Sequence, residues 1–348
     1  MQEALSAMLR MILALLFSLA AVLVSGPRVI PFLRKINFGQ TIYDLGPQSH
    51  KQKQGTPIMG GLMMAGAVLI AALVCHPAKW QGGWDFMIAL LAVSFLSMAV
   101  GFGDDFIKAA LKRHEGLTPW QKIAGQVIVA VGFSLYCYFH PQVGSKVWVP
   151  FFNVEWNLGI FYVPLMSLTV IFMVNSTNLQ DGLDGLLSSV TTVGSTAWGM
   201  MALFLLLAVQ GTQPDYASNL YSVAIFAMAL VGATMGFLRF NHYPATVFMG
   251  DTGSMFIGGA VVGMAMLMRQ PLMMVLIAFT PIMSSLSVII QRYYFKATHG
   301  KRIFKMSPIH HHFELSGYSE TQIVTMYAIV TGVLSLIAIL SLYGLQLA

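Results

Sequence analysis

Residues 88–108 read IALLAVSFLSMAVGFGDDFIK, an apolar run that ends on two adjacent carboxylates and a lysine. From Phe86 to Gly103 no residue carries a charge. As a helix rising ~1.5 Å per residue, that run nearly matches a bilayer core ~30 Å thick. It is continuous where a barrel strand would alternate apolar and polar residues, so it reads as a membrane-spanning helix. Asp104 and Asp105 then stand where the helix leaves the lipid. Charge beside lipid costs roughly 3 kcal/mol or more unless it is paired or solvated, so a carboxylate pair at this depth marks a function.

The same pattern recurs along the chain. Of 348 residues, 57% are hydrophobic and only 9% charged, with a mean hydropathy of +0.72. A soluble domain carries about 25% charged residues. Roughly ten apolar spans follow from the bilayer thickness, centred near Leu16, Ala67, Ala92, Val129, Leu168, Ala197, Ala229, Val262, Phe279 and Thr331. The chain is thus expected to be an all-α polytopic membrane protein, with residues 1–348 forming one integral membrane domain. The first span is expected to be retained, since its apolar run continues to Val24 and Ser25-Gly26-Pro27 is no A-x-A cleavage site. Cys75 and Cys137 lie inside apolar runs without metal-type spacing and read as small buried hydrophobes.

The net charge of +6 comes from basic residues dispersed among loops, a membrane-topology signal rather than a nucleic-acid one. Lysines and arginines crowd the loops around 34–57, 102–122, 239–253 and 292–320, while the alternate loops hold few. The positive-inside rule makes the crowded loops cytoplasmic and, with an even number of spans, puts both termini outside. On the outer side, residues 141–156 suggest a small interfacial hairpin containing Val147-Trp148-Val149 and Phe152 to Trp156.

Five polar motifs occupy the cytoplasmic ends. Asp104 and Asp105 repel each other unless a cation intervenes, which suits Mg²⁺ or a shared proton, and Lys108 lies one turn from Asp104. Asn175, Asn178, Asp181 and Asp184 recur at three-residue intervals and make a polar stripe that cannot face lipid. Asn241 to Ser254 combines Phe248, a candidate base-stacking aromatic, with Asp251, a candidate metal ligand, among glycines. In Ser307-Pro308-Ile309-His310-His311-His312-Phe313-Glu314, Ser and Pro read as N-cap and first helical residue, an anion site lined by imidazoles. Adjacent helical positions diverge by ~100°, so three consecutive histidines favour phosphate contact over a single Zn²⁺. Lys51, Lys53 and Thr56 surround a Gly/Thr/Pro turn that could hold a phosphate. Carboxylates, lysines, histidines and an aromatic on one face suit transfer of a phosphate-linked group from a soluble nucleotide to a lipid. A secondary transporter is the rival of another class, but its carboxylates would sit near the midplane in broken helices.

Asn178-Leu179-x-Asp181-Gly182-Leu183-Asp184-Gly185-Leu186, with the Asp104-Asp105 pair, resembles the polyprenyl-phosphate N-acetylhexosamine-1-phosphate transferases. Pro308-Ile309-His310-His311-His312-Phe313-Glu314 is similar to the phospho-N-acetylmuramoyl-pentapeptide transferase branch, against a sibling using UDP-N-acetylglucosamine. This resemblance implies an enzyme of the bacterial cytoplasmic membrane. It would move phospho-MurNAc-pentapeptide from UDP-MurNAc-pentapeptide to undecaprenyl phosphate, with Mg²⁺, giving lipid I and UMP for peptidoglycan synthesis. It also implies a homodimer among membrane lipids. Asp251 would then ligate Mg²⁺, with Asp104 and Asp105 as further candidate ligands and catalytic residues; Asp104 would deprotonate or orient the lipid phosphate. Lys108 and Lys122 would contact phosphates, and Asn178, Asp181 and Phe248 would hold uridine. His310, His311 and His312 would meet diphosphate or sugar beside Asp184, while Asn241, Thr56 and Lys51 or Lys53 complete the substrate-binding set.

Overall fold

The computed structural model describes residues 2–35, 53, 55–76, 83–111 and 116–342. Lys51 lies outside them. The elements in order are helices α1 (Gln2–Lys35), α2 (Gly61–Cys75), α3 (Trp84–Ala110) and α4 (Pro119–Phe139), strands β1 (Lys146–Val149) and β2 (Val154–Asn157), then helices α5 (Tyr162–Gln180), α6 (Leu186–Val209), α7 (Pro214–Asn241), α8 (Gly250–Leu267), α9 (Met274–Ile277), α10 (Phe279–Ala297), α11 (Ile309–Glu314) and α12 (Glu320–Leu340).

Among the described residues, eight helices are long and apolar enough to cross a membrane, and the α9–α10 pair makes a ninth if counted as one broken span. Two of the ten expected spans differ from the simple reading. α2 has 15 residues, about 22 Å of helix, short of a full bilayer core. The run centred on Phe279 is bent by 85°. Ala278 leaves helical geometry there (φ −105°, ψ 29°), and Pro281, three residues on, has no N–H with which to rejoin the ladder.

α8 is the central helix: almost all of its side chains are buried. It packs closely on α3, where a β-carbon on Gly101 would collide with the Asp251 carbonyl. Most of α7 is buried too, beneath α1 and α6. By contrast α1, α4 and α12 expose rows of Leu, Ile and Val, as lipid-facing helices should.

The interfacial hairpin is present as an antiparallel pair, Val147 opposite Trp156 and Val149 opposite Val154. Glu155 on β2 meets Arg269 and Lys146, which pins the hairpin to the far end of α8. The ends of α3, α5 and α7 and the starts of α4, α6, α8 and α12 gather at the opposite end of the bundle, with the polar motifs among them.

Candidate active site

Local sequence rules position the first groups. Thr118-Pro119-Trp120-Gln121 forms a capping box with Pro at the first helical position, which fixes where α4 begins and where Lys122 emerges. Four residues on, Gln126 exchanges two hydrogen bonds with Asn175 of α5 (2.7 and 3.3 Å). That amide pair locks α4 to α5. Lys122 and Asn178, each about one turn from the lock, are thereby turned toward the same point.

That point is Asp251, near the start of α8. Its carboxylate accepts from Lys122 Nζ at 2.7 Å and from Asn178 Nδ2 at 2.8 Å, and Lys108 Nζ lies 3.4 Å away. Asn178 Nδ2 also reaches Ser254 Oγ at 3.0 Å. Lys108 pairs with Asp104 at 2.5 Å, as the four-residue spacing requires. The other Asp104 oxygen accepts the Leu117 N–H at 2.9 Å.

Asp105 is used differently. Its two oxygens accept the Asp251 N–H (3.2 Å), the Thr252 N–H (2.9 Å) and the Thr252 hydroxyl (2.6 Å). It thus caps the first turn of α8 from another helix, satisfying donors that α8 cannot satisfy itself. Gly250, at φ +72°, allows the approach: a β-carbon there would press on the Asp105 carboxylate. Ligand oxygens of Asp104, Asp105 and Asp251 lie within 4.8 Å of one another and could hold a metal ion. All three carboxylates already accept hydrogen bonds, Asp105 from the backbone and hydroxyl of α8's first turn, and Asp104 and Asp251 partly from lysine ammonium groups whose charge a bound cation could replace. One or two carboxylates, with phosphate oxygens and water completing the shell, is what Mg²⁺ takes.

The Asn/Asp stripe does not stay on one face, because α5 stops at Gln180. Asn175 faces α4, Asn178 faces Asp251, Asp181 caps the helix, and Asp184 turns to a separate cluster. Burial first, then the carboxylates Asp251, Asp105 and Asp184, pushes Asp181 up to about 8. In the separate cluster Lys53 Nζ lies 2.7 Å from both Asp184 and Glu320. Burial alone would lower Lys53; the two carboxylates outweigh it and hold its pKa above the ordinary lysine range. Glu320 also accepts the Asp184 N–H (3.1 Å), and Asp184 accepts the Ala245 N–H (2.9 Å).

Those bonds support the loop that carries Phe248. Phe248 N–H donates to the Pro57 carbonyl and its own carbonyl accepts from Gly60, both at 2.9 Å, with Thr56 half-buried alongside. Asn241 is buried and spends both of its groups within the protein, accepting from Ser188 and donating to the Val247 carbonyl. It holds the Phe248 loop from behind.

The histidine run is arranged otherwise than its local signal suggests. Pro308 (ψ 163°) is extended and stands at the N-cap of a helix of only six residues, so Ser307 caps nothing. The Ile309 N–H is taken by Ser287 Oγ at 3.0 Å. His310 is fully buried against Gly182, where a β-carbon would strike its Nε2. His311 Nδ1 meets Glu314 at 3.1 Å, and His312 Nδ1 accepts the Lys305 N–H at 3.1 Å. The imidazoles therefore point to different partners.

Several residues of the site carried no clear sequence signal. Thr252 and Ser254 lie in the Asp251 motif but are ordinary in type; Gln126 is a single amide in an apolar span. Glu320 had one usable cue, the capping box Ser319-Glu320-Thr321-Gln322, which fixes the start of α12.

A family model described as glycosyl transferase family 4 matches residues 87–269. The phospho-N-acetylmuramoyl-pentapeptide-transferase of Clostridium novyi (strain NT) is 41% identical over 95% of this chain and 97% of its own. That of Clostridioides difficile (strain 630) is 44% identical over 94% and 96%, and that of Halalkalibacterium halodurans 41% over 94% and 96%. With the site's polar residues collected at one end of an apolar helical bundle and relatives this similar along nearly the whole chain, the protein belongs to the phospho-N-acetylmuramoyl-pentapeptide-transferase family.

Proposed function

We propose that this integral protein of the bacterial cytoplasmic membrane moves phospho-MurNAc-pentapeptide from UDP-MurNAc-pentapeptide to undecaprenyl phosphate, yielding lipid I and UMP. The observation that carries the reading is the Asp251 carboxylate, held by two lysines and Asn178 and close to Asp104. The face bearing this cluster is the cytoplasmic one, since it is also where the lysines and arginines concentrate.

An oxygen of the lipid phosphate attacks the phosphorus bonded to the sugar, and the bond from that phosphorus to the UMP oxygen breaks. Asp251 and Asp104 are the residues that would hold Mg²⁺, which when bound would supply positive charge to the diphosphate and to the departing UMP. Lys108 and Lys122, now paired with carboxylates, supply charge to the arriving phosphates and to the leaving oxygen. Asp104 accepts Lys108 on one oxygen and a backbone N–H on the other, which fixes its direction and suits a group that orients the lipid phosphate. Direct attack then needs only positioning and charge neutralisation. Asp105 sets the first turn of α8, and with it the direction of Asp251. Phe248 stacks on uracil with Asn178 and Asp181 nearby, and the α11 segment that carries His310, His311 and His312 lies on the sugar and diphosphate side. Lys53 supports the Asp184 side of the pocket.

UMP release by detergent-purified protein supplied with UDP-MurNAc-pentapeptide, undecaprenyl phosphate and Mg²⁺ tests the reading. Release from the muramoyl donor and its loss with EDTA are expected. Release from UDP-GlcNAc alone would move the chain to the sibling chemistry, and release from neither donor by folded protein would sink the reading.

A further inference from the structure

α10 has two unlike faces. At ~100° per residue, Ile289, Ile290, Tyr293 and Tyr294 fall on one side, and all four are exposed, as a lipid-facing surface would be. Val288, Gln291, Arg292, Phe295 and Lys296 fall on the other, where they line a groove of about 570 Å³ with Arg302, Lys305 and Ser307.

The groove is built rather than incidental. Gln291 clamps the returning chain: its Oε1 accepts the Ile303 and Phe304 N–H groups at 3.1 and 3.0 Å, and its Nε2 donates to the Phe304 carbonyl. Lys305 Nζ donates to the Leu315 carbonyl and closes the far wall. Between Leu286 and Ser319 the chain carries five lysines and arginines against one carboxylate, Glu314, and Glu314 lies 3.1 Å from His311. Arg292, Lys296 and Arg302 are exposed and have no carboxylate partner among the described residues.

One wall of the groove leads along the chain toward the active site. Ser307 in its wall is three residues from His310, and His310 touches Gly182, next to Asp181 and one turn past Asn178. α11, which separates them, has six residues and is ~9 Å long. A pentapeptide, up to ~17 Å extended, leaving a sugar held at the histidines would run past α11 into the groove.

The geometry points to this basic groove as the seat of the donor's peptide stem, with Arg292 and Arg302 meeting its free carboxylate end. The inference rests on the donor reading above. A peptide joined through its amino end keeps its carboxylate end free, so the charges are complementary. An anionic lipid headgroup would share this charge chemistry, since Val288, Phe295, Met306 and Leu315 also line the groove, and the comparison of donors separates the two.

The test compares two donors, UDP-MurNAc-pentapeptide and UDP-MurNAc without peptide, in wild type and the double variant Arg292→Gln, Arg302→Gln. Two exposed pairs together correspond to about threefold to tenfold. KM for the peptide-bearing donor should rise by that factor with kcat unchanged, KM for the bare donor should stay, and Arg292→Lys, Arg302→Lys should restore the wild-type value. An equal rise for both donors, or a rise confined to undecaprenyl phosphate, would overturn the assignment, the latter giving the groove to an anionic lipid. Calorimetric binding of both donors to wild-type protein separates the two readings. If the peptide adds no affinity the groove assignment fails even where UMP is released, and tighter binding of the peptide-bearing donor that the Arg292→Gln, Arg302→Gln variant loses upholds it even where turnover is absent.

Discussion

Asp105→Asn is the most informative substitution, because the structure gives Asp105 a job distinct from that of its neighbour. The wild-type carboxylate accepts three hydrogen bonds from the first turn of α8. In the variant the amide oxygen can serve the two Thr252 donors, but the amide nitrogen then faces the Asp251 N–H, donor against donor. An orphaned buried donor costs about 1–3 kcal/mol, and losing the charge assistance on the two retained bonds about 1 more. The variant should therefore lose about 2–4 kcal/mol of stability. Thr252→Val deletes only the hydroxyl bond and should cost about 1–2 kcal/mol. Since a protein of this kind unfolds irreversibly, the assay is the unfolding midpoint in detergent at fixed scan rate, with UMP release on the same samples. Both variants should fall in both measurements, in that order, because misdirecting α8 misdirects Asp251. A dead Asp105→Asn protein with a wild-type midpoint, beside a fully active Thr252→Val, would refute capping and place Asp105 at the reacting atoms.

Asp251→Ala should lower UMP release by about a thousandfold or more, since it removes the shared partner of two lysines and the main candidate metal ligand; normal turnover by folded protein would take Asp251 out of the mechanism. Glu320→Gln keeps an acceptor for the Asp184 N–H but leaves Lys53 with one carboxylate instead of two. It should change KM for the UDP donor a few-fold with less effect on kcat, and unchanged steady-state kinetics would show that the Lys53 cluster is inert. Asp181, titrating near 8 in the folded protein against 3.8 unfolded, holds a proton that the unfolded chain has lost at intermediate pH. The stability it lends is complete below pH 3.8 and disappears as pH rises through about 8. Melting at constant ionic strength should thus show a decline between pH 4 and 8 that Asp181→Asn flattens; an identical slope in the variant would contradict the raised pKa.

The sequence announced the helices and the end of the bundle where the polar motifs gather, for one physical reason. Lipid tolerates neither an unpaired backbone nor a stray carboxylate, so both span length and charge position are written in plain residue types. Pairing was far less legible. Lys53 and Glu320 are 267 residues apart, and Asp105 and Thr252 are 147 apart; no local pattern says that they meet. The break at Ala278 sits inside an apolar run where Pro281 would equally suit a kinked continuous helix. Ser307-Pro308 carried a correct-looking capping signal, but Ser287 and Gln291 on α10 satisfied the nearby backbone instead. Tertiary bonds overrode the local rule there.

The lock between Gln126 and Asn175 joins two halves of a chain that leave the ribosome at different times. The half ending with α4 brings Asp104, Asp105, Lys108 and Lys122, two negative and two positive charges that can balance one another while it waits in the membrane. The later half brings Asp251 with Asn178 but no lysine to neutralise it within the cluster. A newborn chain therefore meets its steepest electrostatic step only when α8 arrives, and the earlier lysines are already there to receive it. Two polypeptides divided at the β1–β2 turn would show the same asymmetry: the first should persist in the membrane alone, and the second should need the first to survive.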